Sequence, residues 1–197
     1  MKQNTQSIQK FIMNKILYII MIIMVIMIAC ISPKFLSLRV LRDILMQSST
    51  KLIVAAGCLF IIISGGADLS GGRMVGFAAV ISGSLAQQST YYLKFWPNLG
   101  EMPIWVPFAV SIAVGLLVGC FNGWVVSKLQ VPAFLATLGS QMIVYGINCL
   151  YFNKEPNNSQ PLGGFRPEFT NIGTGTILGI PYLIIISIVV LIAVHIL

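Results

Sequence analysis

Asp68 is the residue in this sequence best suited to chemistry. It is a carboxylate inside a long apolar region, within the stretch Gly65-Gly66-Ala67-Asp68-Leu69-Ser70-Gly71-Gly72-Arg73. A charge at membrane depth costs several kcal/mol unless it is paired or hydrated. Two roles suit it. It can stand beside a transport path, at a break between half-helices whose freed backbone groups line a cavity. It can instead be structural, capping the helix that starts near Ser70 or pairing with Arg73. Asn122, in Gly119-Cys120-Phe121-Asn122-Gly123, and Thr137, in Val131-Pro132-Ala133-Phe134-Leu135-Ala136-Thr137-Leu138-Gly139, are the other polar candidates. Asn122 can hydrogen-bond between helices or face a cavity. Thr137 can bond back to its own helix. Pro132 frees backbone carbonyls that must then face protein or water. Taken singly, each suits packing. Taken with Asp68, they describe a bundle with an irregular, partly polar interior, suited to conducting a polar solute.

Covalent chemistry is poorly served. Nucleophilic hydrolysis needs a Ser or Cys beside a positioned base, and the only histidine is His195, at the end of the last apolar run. An intramembrane aspartyl protease needs two carboxylates sharing a proton. The only other aspartate is Asp43, in a connector. The Gly-rich stretch lacks the Gly-Lys-Ser/Thr of a phosphate loop, so no ATP site is expected. Cys30, Cys58, Cys120 and Cys149 lie in apolar runs without a CxxC pair. They read as small buried hydrophobes rather than disulfide or metal ligands. No catalytic residue, metal site or cofactor is expected.

The elements that must position these residues follow from composition. Of 197 residues, 57% are hydrophobic and 9% charged, against about 25% charged in soluble domains. Mean hydropathy is +0.91. Such a chain has lipid as its main solvent. The net charge of +7 comes from Lys and Arg scattered between apolar runs. That pattern suits loop charges flanking membrane spans, not a nucleic-acid surface.

A crossing helix needs about 20 apolar residues. The first candidate is Asn14–Ser32, preceded by Lys2, Lys10 and Lys15, which favour a cytoplasmic N-terminus. Met27-Ile28-Ala29-Cys30 is a poor lipoprotein cleavage site, so the run reads as a span rather than a leader. Pro33 ends it. Phe35–Ser49 is an amphipathic connector with Arg39, Arg42 and Asp43. Two short apolar runs, Leu52–Ser64 and Met74–Gln87, flank the Asp68 stretch. Ser89–Pro103 is a loop whose Tyr91, Tyr92 and Trp96, with Trp105, suit a membrane interface.

Ile104–Val126 is a clean span. Gly115, Gly119 and Gly123 share one of its faces, a spacing that lets a second helix approach closely. Phe134–Phe152 is another span, Asn153–Thr176 a solvent loop, and Ile177–Leu197 a last apolar run without a polar flank. The chain looks cut there. If Leu52–Gln87 makes two passes, Asn153–Thr176 lies outside and Lys128 inside. If it makes one broken pass, the sides reverse. The expected fold is all-α: a single multi-pass transmembrane bundle over residues 1–197, with about six hydrophobic segments.

These residues resemble the permease family of bacterial ABC importers for ribose, xylose, arabinose and galactose. The family pattern Gly-Gly-x-Asp-Leu-Ser-x-Gly matches Gly65, Gly66, Asp68, Leu69, Ser70 and Gly72. Its Asn-Gly matches Asn122-Gly123. Its Pro-Phe-Ile-x-Thr-Leu-Gly matches Pro132, Phe134, Leu135, Thr137, Leu138 and Gly139, with Ala133 inserted after the proline. Phe35-Leu36-Ser37, Asp43-Ile44-Leu45 and Gln47-Ser48-Ser49 match the early connector. Gly72-Arg73-Met74-Val75-Gly76, Met102-Pro103-Ile104 and Val144-Tyr145-Gly146-Ile147-Asn148 look most like the galactose branch.

The resemblance implies an inner-membrane permease that performs no chemistry itself, with Asp68, Asn122 and Thr137 near the sugar path. It implies a second permease copy, a cytoplasmic ATP-binding subunit that hydrolyses ATP, and a periplasmic or lipid-anchored sugar-binding protein. It places Asn153–Thr176 outside. Family members run well past three hundred residues and carry a later Gly-Gly-Asn…Glu-Ala-Ala loop that docks the ATPase, which is not found in these 197 residues. The expectation is a permease truncated before that loop, one that cannot couple ATP hydrolysis to uptake if this is the whole product. The alternatives are an ion-coupled secondary transporter and a non-transporting membrane remnant.

Overall fold

The computed structural model describes the backbone of residues 2–196 and the side chains of residues 15–32 and 34–196. It divides into two compact units, Met1–Ser48 and Ser49–Leu197.

The first unit begins with helix α1, Lys2–Ile31. From Ile16 to Ile31 its side chains are apolar on every side, as suits a helix surrounded by lipid. The side chains of Lys2, Lys10 and Asn14 lie outside the described residues. Pro33 opens a single 3₁₀ turn, Pro33–Leu36, since it has no N–H to continue the helical ladder. Ser37 then accepts a hydrogen bond from Val40 N at 3.4 Å and caps the next helix.

That helix, α2, runs unbroken from Leu38 to Ile63. The connector Phe35–Ser49 is therefore not a separate element. From Leu38 onward it is the first half of α2, continuous with the apolar run that follows. No proline interrupts residues 38–63, and the single glycine, Gly57, is tolerated inside a helix.

In the second unit α2 ends in two backbone bonds. Gly66 N donates to Ile61 O and Gly65 N to Ile62 O, both at 3.0 Å. Gly65 has φ +79°. This is a Schellman ending, which needs a left-handed residue that only glycine adopts without penalty. Residues 65–70 are irregular, and α3 follows at Gly71–Leu85. Helices α4, Trp105–Lys128, and α5, Ala133–Phe152, match the two predicted clean spans within two residues. α3 packs on both α4 and α5, and those two pack on each other.

The bundle is polar inside and apolar outside. Ser70, Ser82, Ser84, Asn122, Thr137 and Ser140 are buried, while Ile112, Leu116, Leu117, Met142, Ile143 and Leu150 are exposed. A soluble domain has the reverse arrangement. In hydrocarbon, small and hydroxyl residues let helices approach and bond, while Leu and Ile meet the lipid. Cys30, Cys120 and Cys149 are exposed and Cys58 half-buried. They are not the buried hydrophobes expected, because they sit on outward faces.

At one end of the bundle the loops after α3 and α5 are knitted together. Gln87 and Phe165 form an antiparallel bridge. Gln87 Nε2 donates to Gly163 O at 2.9 Å, and Phe95 N donates to Gln87 Oε1 at 2.7 Å. Trp96 joins this cap. Its Nε1 donates to the Tyr151 hydroxyl at 3.3 Å, while the Lys154 ammonium lies 4.1 Å from its ring. Asn153–Thr176 is thus more than a solvent loop. Its last part folds as α6, Pro167–Thr174, because Pro167 suits the first helical position and Glu168 the positive end of the helix dipole.

The last run also differs from expectation. Thr176–Ile177 (β1) and Ile180–Pro181 (β2) form a small hairpin. Its turn residues Leu178 and Gly179 both have positive φ, as a two-residue hairpin requires. Only Tyr182–Ile196 is helix, α7. Among the described residues, α2, α4 and α5 are long and apolar enough to cross a membrane. α3, with 15 residues, extends about 22 Å, short of the roughly 30 Å hydrocarbon core.

Candidate functional site

The end of the bundle opposite the cap holds a cavity of about 540 Å³. Three segments wall it. The first is the end of α2 and the irregular stretch: Ile61, Ser64, Gly65, Gly66, Ala67 and Asp68. The second is one face of α4: Gly119, Asn122, Gly123 and Val126. The third is Gln130–Ala133 with Thr137 of α5. All three polar candidates from the sequence therefore line one space. Their approach follows from chain direction. α3 and α5 both start at this end and α4 finishes here, as the paired contacts Ser70–Asn122 and Leu69–Thr137 require.

Asp68 is half-buried. Its Oδ1 accepts the Ser70 backbone N–H at 2.7 Å and the Ser70 hydroxyl at 2.6 Å. The carboxylate thus turns the chain into α3 and sits at that helix's positive end. The turn stands before the helix, and α3 itself has no side-chain cap bond, so the cap expected of Asp68 is not made. The pairing with Arg73 is not made. The Arg73 guanidinium lies 4.2 Å from the centre of the Tyr145 ring. No cation pairs with Asp68 among the described residues.

Asn122 is buried at 8% exposure. Its Nδ2 donates to Ser70 Oγ at 3.0 Å. Its Oδ1 is buried without a partner among the described residues. Thr137 ties the irregular stretch to α5. Its Oγ1 accepts Leu69 N–H at 3.2 Å and lies 2.9 Å from Ala133 O, the bond back to its own helix. Ala67 O is another acceptor within reach, at 3.2 Å. Gly66 is held because a Cβ there would come 3.2 Å from Ile61 Cγ2 and 3.4 Å from Ala133 Cβ.

Of the residues that matched the sequence motif, Gly65, Gly66, Gly123 and Pro132 line the cavity. Leu69 contributes its backbone N–H, and its side chain is exposed. Gly72, Phe134, Leu138 and Gly139 stand outside it. Phe134 points outward, and nothing lies within 4 Å of a Cβ built at Gly72 or Gly139.

The glycine face of α4 departs from its expected use. Among the described residues, no atom beyond the glycine's chain neighbours and its own helical backbone lies within 4 Å of a Cβ built at Gly115, Gly119 or Gly123. Gly119 and Gly123 open onto the cavity instead of a packed helix, so the close approach expected there is not made among the described residues. Sequence reasoning also left Ser70 as a motif residue. Its hydroxyl is the hub between Asp68 and Asn122. The signal was its place two residues after an aspartate in a Gly-rich break.

Residues 40–197 match the family described as "Branched-chain amino acid transport system / permease component". The chain belongs to this permease family. Similar proteins include the galactose/methyl galactoside import permease protein MglC of Escherichia coli (strain K12). It is 36% identical over 172 residues, covering 87% of this chain and 51% of that protein. MglC of Salmonella typhimurium is 37% identical, covering 81% of this chain and 47% of that protein. The ribose import permease protein RbsC of Haemophilus influenzae is 33% identical, covering 100% of this chain and 58% of that protein. The chain thus spans about half the length of the curated relatives it matches. No solved structure matches it. Membership of a permease family, together with three membrane-length apolar helices among the described residues, makes this a multi-pass protein of the inner membrane.

Proposed function

We infer that this chain forms part of the membrane path of an ATP-binding-cassette importer for a monosaccharide, galactose or methyl galactoside. The observation that carries the reading is its likeness to sugar import permeases over 81–100% of its length. The meeting of Asp68, Asn122 and Thr137 at one cavity supports it, because a neutral solute rich in hydroxyls needs acceptors and donors on the wall of its path. The chain performs no covalent step. ATP is hydrolysed on a separate cytoplasmic subunit. A second permease copy completes the path, and a periplasmic or lipid-anchored binding protein delivers the sugar.

The test is uptake of labelled methyl galactoside by cells that lack their own permease. The cells carry these 197 residues joined to the remaining half of a similar import permease, with the ATP-binding and sugar-binding components that serve that permease. The expected result is uptake that ceases when ATP is depleted and is lost on Asp68→Ala. Uptake that persists without ATP and follows a proton or sodium gradient would favour an ion-coupled transporter, the reading suggested by an aspartate without a cation partner. Uptake of leucine instead of galactoside would sink the sugar assignment. Stable insertion with no uptake of either would leave only an interaction role.

A further inference from the structure

Ser70 is fully buried, and its hydroxyl has one proton. Three neighbours surround that hydroxyl: Asp68 Oδ1 at 2.6 Å, the Asn122 amide at 3.0 Å and Met74 Sδ at 3.6 Å, the last a weak acceptor that a carboxylate oxygen outcompetes. An ionised carboxylate can only accept. The proton therefore goes to Asp68, and Ser70 Oγ is left as an acceptor. The Asn122 amide must then present its NH₂ to Ser70, which turns its Oδ1 away. The relay thus has one direction, Asn122 to Ser70 to Asp68.

Its effect on Asp68 is specific. Oδ1 is saturated by two donors from the same residue. No described residue donates to Oδ2, and no described cation pairs with the carboxylate. Asp68 lines the cavity. The carboxylate is thus held by one oxygen, with the other and the negative charge left for whatever occupies the space.

We propose that Ser70 is a positioning residue for the solute path, and that it makes the Asp68 side of the cavity a site for a neutral hydroxyl-bearing solute while excluding its anionic analogue. This rests on the permease reading above. A free carboxylate oxygen takes solute O–H groups as charge-assisted hydrogen bonds. The same oxygen repels a solute carboxylate, and no described cation pairs with Asp68 to offset that repulsion.

The test measures affinity of the chain in lipid nanodiscs for methyl galactoside and for galacturonate, by saturation-transfer NMR with competition. Ser70→Ala should weaken galactoside binding about tenfold, the scale of one hydrogen bond to a charged group. Ser70→Thr, which restores the hydroxyl, should recover most of it. Asp68→Ala should also cost about tenfold, and the double variant about tenfold rather than a hundredfold, because Ser70 acts through Asp68. Asp68→Asn should raise galacturonate binding relative to galactoside, a change that loss of packing would not produce. Should the alanine variant misfold, Ser70→Cys keeps the volume, exchanges a strong donor for a weak one, and should show the same coupling. Additive losses, or a neutral Ser70→Ala beside a damaging Asp68→Ala, would overturn the positioning role and leave the cavity on the path. An Asp68→Ala variant that binds galactoside normally would remove the cavity from the path, and the role of Ser70 with it.

Discussion

Replacing Thr137 by valine tests whether the break after α2 is pinned by a single side chain. The two side chains have nearly the same shape, so packing changes little, but the hydroxyl is lost. Thr137 is buried at 4% exposure, and its Oγ1 is the acceptor of Leu69 N–H at 3.2 Å. That amide lies in an irregular stretch where no helical partner replaces it. The bond is part-buried, and leaving such a donor without its partner costs up to about 1–3 kcal/mol. If Leu69 exchanges by local opening, its amide should exchange about 5- to 150-fold faster, since each 1.4 kcal/mol is tenfold. The assay is hydrogen exchange with mass spectrometry on the chain in nanodiscs, following the peptide over residues 64–70. Thr137→Ser keeps the hydroxyl and should exchange close to the original rate. Protection at Gln87 and Phe165, at the far end of the bundle, should stay unchanged. Exchange at Leu69 within about twofold of the original in the valine variant would refute the pin.

Other perturbations probe the rest of the frame. Gly65→Ala forces a side chain onto φ +79° and should lower stability by about 1–2 kcal/mol, read by thermal unfolding in detergent. Gly164→Ala should do more damage, because its Cβ would fall 2.2 Å from the Tyr91 ring at φ +64°. Proteolysis between residues 87 and 101 should quicken, and Tyr91→Ala in the same chain should restore part of the resistance. Glu101 has its pKa lowered, first by the Ser89 backbone N–H and then by the Ser89 hydroxyl, which reach its Oε1 at 3.1 and 2.9 Å. A depressed carboxylate stabilises the fold above its unfolded pKa and loses that contribution as pH falls through its lowered value. Protection of the Ser89 amide should therefore hold at neutral pH and fade only below the usual carboxylate range. Glu101→Gln should abolish that pH dependence.

Much of the frame was legible because it depends on local rules. Pro33 ends α1 for want of an N–H, Pro132 stands at the start of α5, and the Gly65-Gly66 pair ends α2 through a left-handed turn. The places where local reading failed have a common cause. Phe35–Ser49 carries Arg39, Arg42 and Asp43, so its polarity suggested a connector. Polarity does not interrupt a helical ladder, and α2 runs through it. Pro167–Thr174 sits in a polar, Gly-containing stretch that hides a good helix start. The cap of Gln87, Phe95, Trp96 and Tyr151 had no periodic signal, because its members come from loops and a helix end.

What the sequence by itself determined is the solvent and the inventory. With 57% hydrophobic and 9% charged residues, only lipid can surround most of this chain, and the few polar side chains within its spans must turn away from it. The residue types that could line a path, Asp68, Asn122 and Thr137, follow from that argument alone. Tertiary structure decided which of them meet and how. The bonds that gather them join residues 52 and 68 positions apart, distances at which periodicity carries no information. Only the crossing of α3, α4 and α5 places Ser70 between a carboxylate and an amide. Only that contact sets which way the Asn122 amide turns and which oxygen of Asp68 stays open. The glycines at 115, 119 and 123 mark the same limit. Their spacing names a face, but whether a helix or a cavity lies over it depends on elements far away in the chain.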